Sequence, residues 1–89
     1  MLVISYDIAD DLKRSRFARM LTKHGAIRLQ YSVYEIVNTK RVTDNIQEKI
    51  KSFAKHFNPS DSVIIFEISR DKLIKFGNAI HRDENIVFL

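Results

Sequence analysis

Asp7 closes the apolar run of "LVISYDIADDLKRSR", with Asp10 and Asp11 just beyond it and Arg14 and Arg16 after them. Carboxylates beside a loop suit Mg²⁺, or the similar Mn²⁺, because these hard ions take oxygen ligands, keep several waters and commonly accept only one or two protein carboxylates. Asp10 and Asp11 also have a plainer reading, as the cap and first turn of a helix, and the pattern favours it for those two. Asp7 is harder to dismiss, since an acid at the end of a strand built for burial requires solvent, a cation or a role. One carboxylate is thin provision for a metal, and a twofold dimer would double it. Lys13, Arg14, Arg16, Arg19, Lys23 and Arg28 could neutralise phosphates or simply form a solvated face. Tyr6, Tyr31 and Tyr34 could stack on bases, although their alternation favours core packing.

Other chemistries find no support. His24, His56 and His81 show no metal or dyad spacing, and no serine sits in a nucleophile elbow. Gly25 and Gly77 are the only glycines, so a glycine-rich phosphate loop is excluded.

Elements that would position these residues follow from periodicity. "LVISYDI" alternates Leu2, Ile4, Tyr6 and Ile8 against Val3, Ser5 and Asp7, which predicts a strand with Asp7 on the face away from Tyr6. Asp10 is placed to cap a helix over about residues 11 to 24, stopped by Gly25, with Phe17, Met20, Leu21 and His24 toward the sheet and Arg16, Arg19 and Lys23 on an adjoining stripe. In "AIRLQYSVYEIV" the apolar parity switches, so a bulge or break is expected near Ser32. "TDNIQEKIKSFAKHFNP" carries the stripe Ile46, Ile50, Phe53, Ala54 and Phe57, with Thr43 or Asp44 as cap and Asn58-Pro59 as stop. The run Val63 to Phe66 predicts a central strand covered on both sides, beside the first strand. A short irregular helix is expected around Asp71 to Phe76, and a last strand over Ile86 to Leu89 whose apolar edge calls for a cover.

The 89 residues make a single domain, 1–89, with a small core. Hydrophobic residues at 45% and charged residues at 29% exclude disordered, collagenous and membrane classes. Without cysteine there is neither a disulfide framework nor a thiolate metal site, and no signal peptide or membrane span is visible, so a cytoplasmic protein is expected. A net charge of +4 favours a polyanionic partner without naming one. The element order β-α-β-β-α-β is that of an α+β ferredoxin-like sandwich, here with a C-terminal strand appended.

"VISYDIADDLKRSRFARMLTKHGAIRLQYSVYE" resembles the opening of the CRISPR-associated Cas-two (Cas2) family. The resemblance rests on Tyr6-Asp7-Ile8, on Arg14 with Arg16 before Gly25, and on Arg28-Leu29-Gln30-Tyr31-Ser32-Val33-Tyr34-Glu35. Tyr34 stands where the family usually has Phe, and Ile36 where Gly is frequent. The resemblance implies a ferredoxin-like homodimer in which Asp7 of both subunits faces a shared cleft as catalytic residue and ligand of Mg²⁺ or Mn²⁺. Tyr6, Arg14, Arg16, Arg28 and Tyr34 would line the cleft or bind nucleic acid. It implies either a metal-dependent endonuclease acting on RNA or DNA, or a scaffold that holds a protospacer DNA duplex for the Cas-one integrase during spacer acquisition. Of these, a small basic dimer with one acid per subunit and no evident general base suits the scaffold better, with cleavage dispensable. A toxin ribonuclease of the VapD type is the alternative.

Overall fold

A computed structural model describes residues 1–79. Its elements in chain order are β1 (Leu2–Asp7), α1 (Asp11–Lys23), β2 (Ile27–Gln30), β3 (Val33–Ile36), α2 (Lys40–Ala54) and β4 (Ser62–Glu67), followed by a 3₁₀ turn, Arg70–Lys72. The sheet is antiparallel in the order β2-β3-β1-β4. Both helices bury their apolar stripes with one sheet face, giving the expected α+β sandwich.

Each boundary has a local cause. The Asp10 carboxylate accepts from Lys13 N at 2.9 Å and starts α1. The helix ends at His24 and Gly25, whose φ of +91° is the left-handed conformation glycine adopts without cost. Ala26 N then donates to Leu21 O and Gly25 N to Thr22 O, both at 3.0 Å, closing a Schellman motif. Between β2 and β3, Ser32 takes a φ of +64° and the ladder slips between Arg28 and Gln30, so the parity switch lies where it is expected. That turn is docked on β1 by Tyr6 N donating to Ser32 O at 3.1 Å.

Leu2, Ile4, Phe17, Leu21 and Ile46 are fully buried and form the centre of the core. The Phe17 ring meets Tyr6 edge-on at 4.8 Å and Phe53 at 5.4 Å, tying β1, α1 and α2 together.

Expectations for α2, Tyr31, β4 and the irregular helix are corrected. Helix α2 starts one turn earlier than Thr43, because Thr39 Oγ1 accepts from Val42 N at 3.2 Å, and Thr43 instead hydrogen-bonds back to Thr39 O. Its end is also early: Ala54 is exposed, while Phe57 packs against the core from the turn beyond. Tyr31 is no core residue; it is 66% exposed, with the Arg14 guanidinium 5.9 Å from its ring centroid. β4 does lie beside β1, but among the described residues it is an edge strand covered on one face, with Ile64 and Phe66 about half exposed on the other. The irregular helix contracts to the 3₁₀ turn, and the expected strand Ile86 to Leu89 lies outside the described residues.

Candidate metal and nucleic-acid site

Asp7 is the last residue of β1, opposite Ser62 of β4, and its side chain is exposed. Alternation places it with Val3 and Ser5 on the helix-free side of the sheet, away from buried Leu2, Ile4 and Tyr6. In register beside them on that side stand Phe66 and Ile64 of β4 and Glu35 and Val33 of β3. This face is apolar and exposed at β4, where Ile64 and Phe66 stand. Lys75 Nζ donates to Glu35 Oε1 at 2.7 Å in a pair whose side chains are 18% and 13% exposed, fixing the C-terminal segment against β3.

Asp61, which the sequence reading passed over, organises the loop that follows Asp7. Its carboxylate accepts from Ala9 N at 3.1 Å and from Asn58 N at 2.9 Å. These two donors, Asn58 first and Ala9 second, hold the Asp61 carboxyl below the usual carboxylate range. Lys13 Nζ adds a second link between the same segments by donating to His56 O at 2.8 Å. The signal for Asp61 was its place three residues after Asn58 in a turn, closed by Asp61 N donating to Asn58 O at 2.9 Å.

The other expected site residues are dispersed. Arg14 is largely committed to its own loop: its guanidinium donates to Ile8 O at 3.0 Å and Ala9 O at 3.2 Å and pairs with Asp11. Arg16 is exposed and lines a groove on the helical side, with Ile8, Lys13, Phe53, His56 and Phe57. Tyr6 and Tyr34 are buried core residues with stacked rings 6.1 Å apart. Burial, and then the neighbouring Tyr34, push the Tyr6 phenol up to about 12. Arg28 is exposed on β2, opposite Tyr34.

Among the described residues no group of three or more His, Cys, Asp and Glu could hold a metal. At the end of β1 the chain thus offers Asp7 as an exposed carboxylate, a donor that would suit a hydrated Mg²⁺ or Mn²⁺ sharing its shell with water and phosphate rather than a closed zinc site.

The profile described as "CRISPR associated protein Cas2" matches residues 1–75, which contain every element described above. The chain belongs to the CRISPR-associated Cas2 family. It is 32% identical over 69 residues to "CRISPR-associated endoribonuclease Cas2 3" of Synechocystis sp., covering 78% of this chain and 72% of that protein. It is 30% identical over 81 residues to "CRISPR-associated endoribonuclease Cas2" of Korarchaeum cryptofilum, covering 91% and 84%. Its fold matches the crystal structure of a hypothetical protein from Thermus thermophilus at a TM-score of 0.66 and 23% identity, over 76% of this chain and 79% of that one. Thus β1 through β4 form a Cas2-type α+β fold, with Asp7 presented at the end of one of its two central strands. Among the described residues no helix is long and apolar enough to cross a membrane.

Proposed function

We infer that this Cas2 protein works as a homodimer that binds nucleic acid and scaffolds the Cas-one integrase during spacer acquisition, with Asp7 able to support Mg²⁺- or Mn²⁺-dependent phosphodiester cleavage. The observation that carries this reading is the position of Asp7, exposed at the rim of an apolar, helix-free sheet face. Ile64 and Phe66 are each at least half exposed on it, and a face of this kind is buried economically by a second copy. An isologous interface there repeats Asp7 near its axis and raises the carboxylate supply from one to two.

Bound between such carboxylates, a divalent ion supplies Lewis acidity and an activated water. The protein's own residues do the remaining work. Asp61 fixes the loop after Asp7 through Ala9 N, and Arg14 closes the same loop from the helix side. Arg16 and Arg28, both exposed, are free to meet phosphates, which accounts for binding without base readout. With one acid per protomer and no evident general base, cleavage is secondary and holding DNA is the principal role. The curated relatives carry the name endoribonuclease, which keeps single-stranded RNA as a substrate class.

The test compares wild type with Asp7→Asn, purified side by side, for Mg²⁺-dependent cleavage of single-stranded RNA and duplex DNA and for integrase-dependent spacer insertion. Loss of cleavage with insertion intact is the expected result. Equal cleavage by both proteins removes Asp7 from the chemistry, and loss of insertion in Asp7→Asn refutes the separation of the two roles.

A further inference from the structure

The groove on the helical side is not used by the dimer or by Asp7. It has a volume of roughly 400 Å³ and is lined by Ile8, Lys13, Arg16, Phe53, His56 and Phe57. Its apolar wall comes from Ile8 and the two phenylalanines, whose rings remain half-buried rather than sealed in the core. Phe53 is braced from behind by Phe17, ring centroids 5.4 Å apart at an interplanar angle of 89°, so its orientation is set. The rim is cationic or neutral, with no acid among the six residues. Lys13 Nζ is tied to His56 O at 2.8 Å and closes one end, whereas Arg16 makes no such tie and is exposed. The volume is that of a small-ligand pocket, and aromatic walls beneath a guanidinium match a base and its phosphate.

We propose that this groove seats one unpaired nucleotide of a bound strand, its base against Phe53 and Phe57 and its phosphate on Arg16. The proposal rests on the nucleic-acid reading above and adds that the protein distinguishes unpaired from paired bases. Ile8 lines the groove and directly follows Asp7, so a strand seated there is anchored at the end of β1 that carries the acid. An acidic peptide satisfies the charge of the rim but has less use for two aromatic walls, and it is one outcome of the test.

The experiment is fluorescence anisotropy with the full chain, in EDTA so that no cleavage intervenes. The probes are a labelled single-stranded DNA, an abasic strand of equal length and charge, and a blunt duplex. The base-bearing strand is expected to bind about tenfold more tightly than the abasic one, within the range of one stacked base. Phe57→Leu keeps an apolar side chain of similar size and is expected to erase that difference. Arg16→Gln, at an exposed position, is expected to weaken both strands and lower the salt slope by roughly one contact. Equal binding of the two strands by wild type, with the duplex still bound, overturns the groove and leaves the nucleic-acid reading intact. Failure to bind any of the three probes at low salt overturns both. An acidic peptide that displaces the abasic and base-bearing strands equally well from wild type but not from Arg16→Gln also overturns the nucleotide assignment.

Discussion

Tyr6→Phe separates a core role for this residue from a binding role. The ring lies buried between Phe17 and Tyr34, centroids 4.8 Å and 6.1 Å away, and phenylalanine keeps both contacts. What is lost is a hydroxyl that interacts with Tyr34, at a net cost of about 0.5–1.5 kcal/mol. The same hydroxyl has a pH signature. Its folded-state pKa of about 12 lies above the ordinary value of 10.0, so in the alkaline range the unfolded chain loses this proton first. The contribution of Tyr6 is therefore complete below pH 10 and is lost as pH rises from there to about 12. Within that window a one-proton difference changes stability by at most about 1.4 kcal/mol per pH unit. Urea unfolding of wild type and Tyr6→Phe at neutral pH and at two alkaline values reads the difference, in which the titration of lysines common to both proteins cancels. Wild type is expected to fall faster above pH 10, closing the neutral-pH gap between the proteins. Parallel declines refute the argument that burial holds this phenol neutral. A large loss of nucleic-acid affinity in Tyr6→Phe refutes its placement in the core alone.

Two further substitutions probe the site's supports. Asp61→Ala leaves Ala9 N and Asn58 N without their acceptor, so the melting temperature at neutral pH is expected to fall. Because the folded-state pKa is depressed, the Asp61 contribution is present above the ordinary value of 3.8 and is lost as pH falls below it. The gap between wild-type and variant melting temperatures should therefore narrow in acid, and a gap independent of pH contradicts the assignment. Phe66→Asp places a charge on a half-exposed position of the helix-free face, and sedimentation is expected to show a folded monomer for the variant against the proposed dimer for wild type. An unchanged dimer moves the interface elsewhere.

Much of the framework was legible because local patterns decided it. Alternation set the two faces of β1, Asp10 and Gly25 marked the ends of α1, and the parity switch located Ser32. Misreadings occurred where a local signal had two equally good carriers or where tertiary context ruled. Thr39 and Thr43 can each cap a helix, and apolar spacing before Ile46 does not choose between them, whereas the hydrogen bond to Val42 N does. A run such as Val63 to Phe66 records that both faces of β4 are built for burial but not what buries each one. Among the described residues the sheet's own helices cover one face, and the other is left exposed at Ile64 and Phe66 of β4. Tyr31 followed the parity of β2 only until the left-handed Ser32 turn redirected the chain. Asp61 escaped notice because its link to Ala9 spans 52 residues, a distance over which no sequence pattern operates.

In the proposed reading, Arg16 serves to hold a strand and Asp7 to cut it. Asp7 belongs to the helix-free side of the sheet and Arg16 to the groove on the helical side, with Ile8 as the residue that joins them along the chain. Under neutral salt and in EDTA, Asp7 then contributes only a negative charge near a polyanion. Asp7→Asn is expected to bind duplex DNA at least as tightly as wild type, with the same salt slope, because no phosphate contact has been removed. Addition of Mg²⁺ should help wild type alone, since an ion on the carboxylate turns a repulsive group into a bridge to phosphate. An affinity for duplex that Mg²⁺ raises equally in both proteins would show that the ion acts elsewhere. Asp7 would then have no part in either function, and the exposed acid at the end of β1 would have to be explained by the dimer interface itself.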